Sequence, residues 1–492
     1  MSHILHKTDF EVIRRPLAMP LIGEGVAMAL CLVPAIHYGD GMILPLLLAA
    51  IATLVVGFLL QGRRRRNKNA NPIPDKRVSY ILVCLIWILL SLFGTLPFLF
   101  TGSCTSFSDA FFESMSGLTS TGATIFPDVS HMPPSLLLWR SISQWFGGFG
   151  IILLVLAIVP RLGLNRYSLY TAEVSVADNV GKTSFTLRSR VQHTLAIYIS
   201  LTLFFVVALC FSGMSLWEAV NITFTNISTG GFSIYSDSIA GFTPLQQYIL
   251  AAAMFFGGVN FALLYNLFTF RWSQMHHKLD QLGFYMIILT ISAAFVVAVL
   301  YMHDGYAWKD ALRCGVVQTV SVVTTTGSVV ADTNSWWTPV VLLFLALCFC
   351  GGMAGSTTGG VKVMRLLVLL RGVKQTIFMR IHPNAYNPVR LNGQPVQNDL
   401  VTNVMVIFIV FAITILVTVL LLMVCGVGAE ESLGAAFGCI TGYGPGLGSC
   451  GGFGSYSAFP PVAKCLCSLL MLLGRLECLT VFILFMPGFW RR

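Results

Sequence analysis

Charged residues are scarce in this sequence. Asp, Glu, Lys and Arg together make up 10% of its 492 residues, where soluble domains carry about 25%. That shortage excludes an ordinary water-soluble globule and points to a chain built for a bilayer. Metal-ligand spacing is missing as well. The thirteen cysteines form no Cys-x-x-Cys pair and no Cys/His cluster. Most of them (Cys31, Cys84, Cys210, Cys348, Cys350, Cys425, Cys465, Cys467 and Cys478) lie inside apolar runs. They read as small buried hydrophobes rather than a disulfide framework or a zinc site. Paired carboxylates and a nucleophile elbow are absent from the apolar segments, which argues against a membrane enzyme. The glycine run Gly442-x-Gly444-x-Gly446-x-Gly448 has neither the preceding strand nor the following acid of a dinucleotide site. No cleavable signal is expected, because Asp9, Glu11, Arg14 and Arg15 precede the first apolar run.

What the chain does have is length without charge. Uncharged apolar runs such as Met42–Gln61, Val78–Phe100, Thr194–Trp217 and Gln281–Met302 each meet the roughly 20 residues that a spanning helix needs. Ten spanning helices fit the sequence. With that count, segments 1–16, 62–77, 160–193, 271–281, 362–400 and 491–492 share one side and hold 25 of the 30 Lys and Arg. The opposite side holds Lys309 and Arg313, while Arg140, Lys464 and Arg475 fall within spans. This asymmetry predicts that both termini are cytoplasmic. The net charge of +10 therefore marks topology, with Arg63–Arg66 as an anchor, and not a nucleic-acid partner. The outer side carries Asp40, Asp109, Glu113, Asp128, Glu218, Asp237, Asp304, Asp310, Asp332, Glu430 and Glu431, an acidic mouth that would concentrate cations.

Four outer segments share a polar signature. They read Leu118-Thr119-Ser120-Thr121-Gly122, Asn226-Ile227-Ser228-Thr229-Gly230, Val323-Thr324-Thr325-Thr326-Gly327 and Ile440-Thr441-Gly442-Tyr443-Gly444. The final glycines are 108, 97 and 117 residues apart, too far for a solenoid and suited to a pseudo-symmetric membrane array. A spanning helix and a stretch too short to span precede each strip. A second spanning helix follows, carrying its own landmark: Gly147-Gly148, Gly257-Gly258, Gly351-Gly352 and, more divergent, Gly474-Arg475. Irregular backbone at bilayer depth is tolerated only inside protein or beside water. Four strips meeting on one axis satisfy that rule, and their carbonyls would replace an ion's hydration shell. Half-helix C-termini aimed at the same axis favour a cation.

These residues resemble the Trk/Ktr/HKT superfamily of potassium transporters, in particular the bacterial Trk-type membrane subunit. The resemblance covers nearly the whole chain and rests on the four strips, on Trp145-Phe-Gly-Gly-Phe-Gly-Ile151, on Gly351–Lys362 and on Arg475. It implies an all-α polytopic membrane protein with two accessory helices and four helix–pore-helix–helix repeats around a pseudo-fourfold pore. The divisions expected are residues 1–77 for the accessory pair, then 78–160, 161–271, 272–371 and 372–492 for the repeats. It further implies potassium uptake across the bacterial inner membrane, with potassium held by filter carbonyls only and no organic cofactor in this chain. The filter glycines it points to are Gly122, Gly230, Gly327 and Gly444. Glycine at 122, where sodium-preferring plant relatives carry serine, implies potassium. The resemblance also implies a homodimer and a separate cytoplasmic nucleotide-binding regulatory subunit of the RCK type.

The third repeat carries an unusual segment. Trp337–Leu370 exceeds one straight span and holds Gly351, Gly352, Gly355, Gly359 and Gly360 with Ser356, Thr357 and Thr358. Such residues weaken a helix, so it should break there into an intramembrane loop. Tight helix packing of the Gly-x-x-x-Gly kind accounts for Gly351 and Gly355 but not for five glycines in ten residues. With Lys362, this segment is the candidate gate, and the resemblance places a gate there. Arg475 at bilayer depth needs an interior partner. Glu477 lies two residues away on another face, so the loop carbonyls are the expected acceptors. An ion-coupled transporter of organic solutes is the rival reading. Such folds often use inverted repeats, whereas these four all start from the basic side.

Overall fold

The computed structural model describes residues 7–62, 76–157, 187–270, 279–384, 388–396 and 398–490. The basic run Arg63–Arg66, most of 160–193 and the segment 271–278, on which the topology argument leaned, lie outside the described residues. Apolar sequence becomes helix almost everywhere, because a backbone in lipid must satisfy its own polar groups. Six of the described helices are long and apolar enough to cross a membrane, and two more spans arise if each of two bent helix pairs counts as one. Large apolar side chains such as Leu203, Phe204, Phe211, Ile291, Leu416 and Val424 remain on the outside, where lipid tails rather than water would meet them.

The accessory helices Lys7–Leu30 and Ile43–Gln61 pack beside the first repeat. Four units follow, each a long first helix, a pore helix and a second helix. The pore helices are Phe107–Leu118, Leu216–Ile227, Trp308–Val323 and Ala429–Thr441. All four second helices start at or beside a proline: Pro134, Pro244, Pro339 and Pro461. Proline suits a first helical turn, where its missing N–H is not needed. One apolar core joins the accessory helices to the first and fourth repeats, and another joins the second and third. The first and last repeats are also tied directly, since Tyr456 N donates to Thr124 O (2.8 Å) and Lys464 Nζ pairs with Asp109 (2.7 Å).

The third repeat's second helix breaks as expected. Thr338–Cys350 ends at Gly351, and helix resumes only at Val363. Two other breaks were not expected. In the second repeat, Pro244–Gly258 and Phe261–Phe268 meet at 107°. In the fourth, Pro461–Arg475 and Leu479–Phe485 meet at 114°, with Glu477 and Cys478 at positive φ. The breaks follow the landmarks Gly257-Gly258 and Gly474-Arg475, although Val259-Asn260 and Leu476-Glu477-Cys478 themselves contain neither glycine nor proline.

Candidate ion pore and gate

Each pore helix ends in the same way. Thr121 N, Gly230 N, Thr326 N and Tyr443 N reach back five residues to Ser116 O, Thr225 O, Ser321 O and Gly438 O at 2.8–3.0 Å. One residue earlier, Ser120, Thr229, Thr325 and Gly442 all adopt left-handed backbone, with φ of 53°, 53°, 52° and 70°. Such closures satisfy carbonyls that a helix end would orphan. One residue later, Gly122, Gly231, Gly327 and Gly444 take φ between 74° and 89°, a region natural to glycine.

These angles correct the register of the second strip. The structural counterpart of Gly122 is Gly231, not Gly230. Gly230 instead matches Thr121, and Ile227 is the last turn of the pore helix, equivalent to Leu118. The strips are therefore Thr119–Gly122, Ser228–Gly231, Thr324–Gly327 and Thr441–Gly444.

The four strips close on one another in a ring. A Cβ placed on Gly122 would lie 2.1 Å from Gly230 O; on Gly231, 1.9 Å from Thr326 O; on Gly327, 2.1 Å from Tyr443 O; on Gly444, 2.3 Å from Thr121 O. Each glycine thus presses on the matching carbonyl of the next repeat, in the order one, two, three, four, one. Gly122, Gly231, Gly327 and Gly444 line a single outer pocket together with Thr124, Phe126, Arg140, Phe232 and Tyr456. Hydroxyls of Thr119, Thr324 and Thr441 turn back to Met115 O, Val320 O and Phe437 O at 2.6–2.7 Å. These three hydroxyls therefore donate within their own pore helices and to none of the ring carbonyls. The ring is not uniform, because Gly230 O also accepts from Gln144 Nε2 (2.8 Å) and Gly444 O from the Tyr456 hydroxyl (2.9 Å).

Behind the ring lies a buried ion pair. Arg140 Nε donates to Glu113 Oε1 at 2.8 Å, and the two side chains are 2% and 0% exposed. Glu113 also accepts from Ile125 N (3.0 Å), while Arg140 reaches Ser233 O (2.9 Å) and lies 4.0 Å over the Phe232 ring. Glu113 is thus a strut behind the first strip and not part of an acidic mouth. Gln318 does the same work in the third repeat, accepting from Val330 N at 3.0 Å. Gln144, Gln318 and Arg140 were missed as a set. Their signal was the presence of polar residues inside otherwise apolar helices. Hydrogen bonds from Ser236 and then His131 hold the Asp128 carboxyl down at about 2, and the one from Ser236 joins the loops of the first two repeats.

Below the ring lies the segment between Gly351 and Lys362. Gly359 N donates to Thr325 Oγ1 and Gly360 N to Thr441 O, both at 2.8 Å. Gly351, Gly355, Gly360 and Lys362 have positive φ, and Lys362 Nζ donates to Thr358 O and Oγ1. Thr357 Oγ1 donates to Ile227 O (3.2 Å) and Gly257 O (3.1 Å). Arg475, which occupies the place of the second landmark glycine, donates to Thr357 O (2.9 Å), Gly147 O (3.1 Å) and Ser120 Oγ (3.4 Å). Glu477 pairs instead with Arg365 (2.6 Å). Gly352, Ser356 and Thr358 complete the segment, with Ser356 bonded to Met353 O and Thr358.

This arrangement defines a class: multi-pass helical membrane transport proteins built on re-entrant pore segments, and not enzymes. The sequence profile of the TrkH cation transport protein family matches residues 48–491. Trk system potassium uptake protein TrkH of Salmonella typhimurium is 32% identical over 98% of this chain and 99% of its own length. The protein of the same name from Halomonas elongata is 30% identical over 98% and 100%. The crystal structure of the potassium transporter TrkH from Vibrio parahaemolyticus superposes with a TM-score of 0.86 at 29% identity, covering 98% of this chain and 100% of that one. The chain belongs to the TrkH family of cation transport proteins.

Proposed function

We propose that this protein carries potassium ions into the cytoplasm across a bacterial inner membrane, through the ring made by its four strips. The observation that carries this reading is the cyclic contact of Gly122, Gly231, Gly327 and Gly444 with matching carbonyls of the next repeat. Carbonyl rings of this kind substitute for the water around a cation, and the relatives named above are potassium uptake proteins. The filter is then Thr119–Gly122, Ser228–Gly231, Thr324–Gly327 and Thr441–Gly444. The repeats occupy residues 78–160, 161–271, 272–371 and 372–492, after an accessory pair in 1–77. Both termini face the cytoplasm, where the basic segments lie. The active form is a homodimer regulated by a separate nucleotide-binding cytoplasmic subunit.

Selectivity is tested in proteoliposomes by comparing potassium, rubidium, sodium and lithium flux. Gly122→Ser should raise sodium flux relative to potassium, because a Cβ 2.1 Å from Gly230 O forces that ring carbonyl out of place. An unchanged ratio, with the variant folded, would remove the first strip from the filter.

The same reading makes Gly351–Gly360, Lys362 and Arg475 the gate. Arg475 binds the loop at Thr357 O and sets a positive charge beneath the strips. Arg475→Ala should raise basal potassium flux by removing both an anchor and an electrostatic barrier. Flux at or below that of the parent, with normal folding, would reduce Arg475 to a packing residue.

A further inference from the structure

The unexpected break in the second repeat and the gate segment complete each other. Pro244–Gly258 stops where Val259 and Asn260 turn extended, with ψ of 149° and 121°. A helix end in lipid exposes carbonyls that need donors. Gly258 O receives Met353 N (2.9 Å), and Gly257 O receives Thr357 N (3.3 Å). In the other direction Phe261 N donates to Gly355 O at 3.1 Å, and Asn260 Nδ2 donates to Ala354 O. The gate segment therefore fills the vacancies of a helix break that belongs to a different repeat.

The bonds of Asn260 to described residues serve two separable tasks. Its Oδ1 accepts from Ala262 N (3.0 Å) and Leu263 N (3.1 Å), capping the short helix Phe261–Phe268. Its amide nitrogen holds the gate segment. Aspartate caps but, ionised, has no donor, and serine caps through a single hydroxyl that ends one bond short of the amide nitrogen, so neither replaces both kinds of bond.

We propose that Asn260 is a positioning residue, the latch that keeps the Gly351–Gly360 segment seated beneath the strips. This rests on the reading of that segment as the gate. Opening then requires the segment to leave the second repeat, so the gate's closed state is stabilised by a helix break outside the repeat that carries it. Asn260 itself bonds to none of the four strips, so the potassium-to-sodium ratio is a readout separate from the latch.

The test is potassium flux into proteoliposomes holding the full chain, for Asn260→Ser, Asn260→Asp and a deletion of Ser356–Thr358. Asn260→Ser retains the cap and removes the latch, so basal flux should rise about two- to tenfold, the equivalent of one net hydrogen bond. Its potassium-to-sodium ratio should stay that of the parent, and its thermal unfolding should shift little. Asn260→Asp should raise flux likewise but unfold at a lower temperature, because it sets a buried carboxylate oxygen against Ala354 O, and it serves as the second removal of the amide donor. A rise in the deletion variant with no rise in either substitution overturns the latch and leaves the gate. No rise in any variant overturns the gate reading itself. A rise in the substitutions alone also overturns the latch, because the flux would not pass through the segment.

Discussion

Arg140→Met is expected to destabilise the protein by about 3–5 kcal/mol, the loss seen when one partner of a buried ion pair is removed. Glu113 would keep its hydrogen bonds from Ile125 N and from the Thr124 hydroxyl, yet its charge would stay fully buried without a countercharge. Methionine keeps an unbranched stem and sets a thioether where the guanidinium lies over the Phe232 ring, so lost volume is a minor part of the effect. The fourfold pattern supplies a remedy. Gln318 occupies the equivalent position in the third repeat and makes the matching bond to Val330 N without any charge. Combining Glu113→Gln with Arg140→Met should therefore recover a substantial part of the loss. Thermal unfolding in detergent of the parent, the single and the double variant measures both quantities. A single variant within about 1 kcal/mol of the parent, or a double variant no better than the single, would contradict the strut.

Gly231→Ala is expected to cut potassium flux about tenfold or more. Its φ of 74° already disfavours a side chain by about 1–2 kcal/mol. The added Cβ would sit 1.9 Å from Thr326 O, a backbone atom of the next strip with nowhere to retreat. Gly230→Ala should be milder. Gly230 has no positive φ, and its Cβ would meet the Gln144 amide 2.5 Å away, a side chain that can swing aside at the expense of its bonds to Gly230 O and Phe232 N. Flux measured for both variants at equal protein content decides the register. A larger loss from Gly230→Ala would restore the alignment read from the letters.

That alignment shows how far sequence reached. The strips stand out because Thr, Ser and Gly recur beside apolar helices at long, similar intervals, and lipid allows few explanations for that. Register inside a strip is finer than composition. A Gly230-Gly231 doublet offers two equal matches to Gly122, and only backbone angles separate them. The break at Gly351 was visible because glycines crowd there. Those at Asn260 and Glu477 were not, since each break is held by partners far away in sequence: the segment Gly351–Gly360 for Asn260 and Arg365 for Glu477. Charges were easy to count and hard to pair. Glu113 and Arg140 lie 27 residues apart, and assigning one to a mouth and the other to a span concealed that they neutralise each other.

The closure of the ring between its last and first members sets an order on assembly. Lys464 reaches Asp109, and Arg475 reaches Ser120, across 355 residues in each case. A ribosome completes the first three repeats before any of these partners exists. During that interval Gly147 O and Thr357 O have no guanidinium, Thr121 O has no Gly444 beside it, and three polar strips stand in the membrane as an open arc. The growing chain must shelter them with water, lipid headgroups or insertion machinery until its final helices arrive. A nascent chain stopped before residue 444 is therefore not a smaller pore but an unclosed one, and quality-control proteases that patrol the bilayer would meet it as exposed polar backbone.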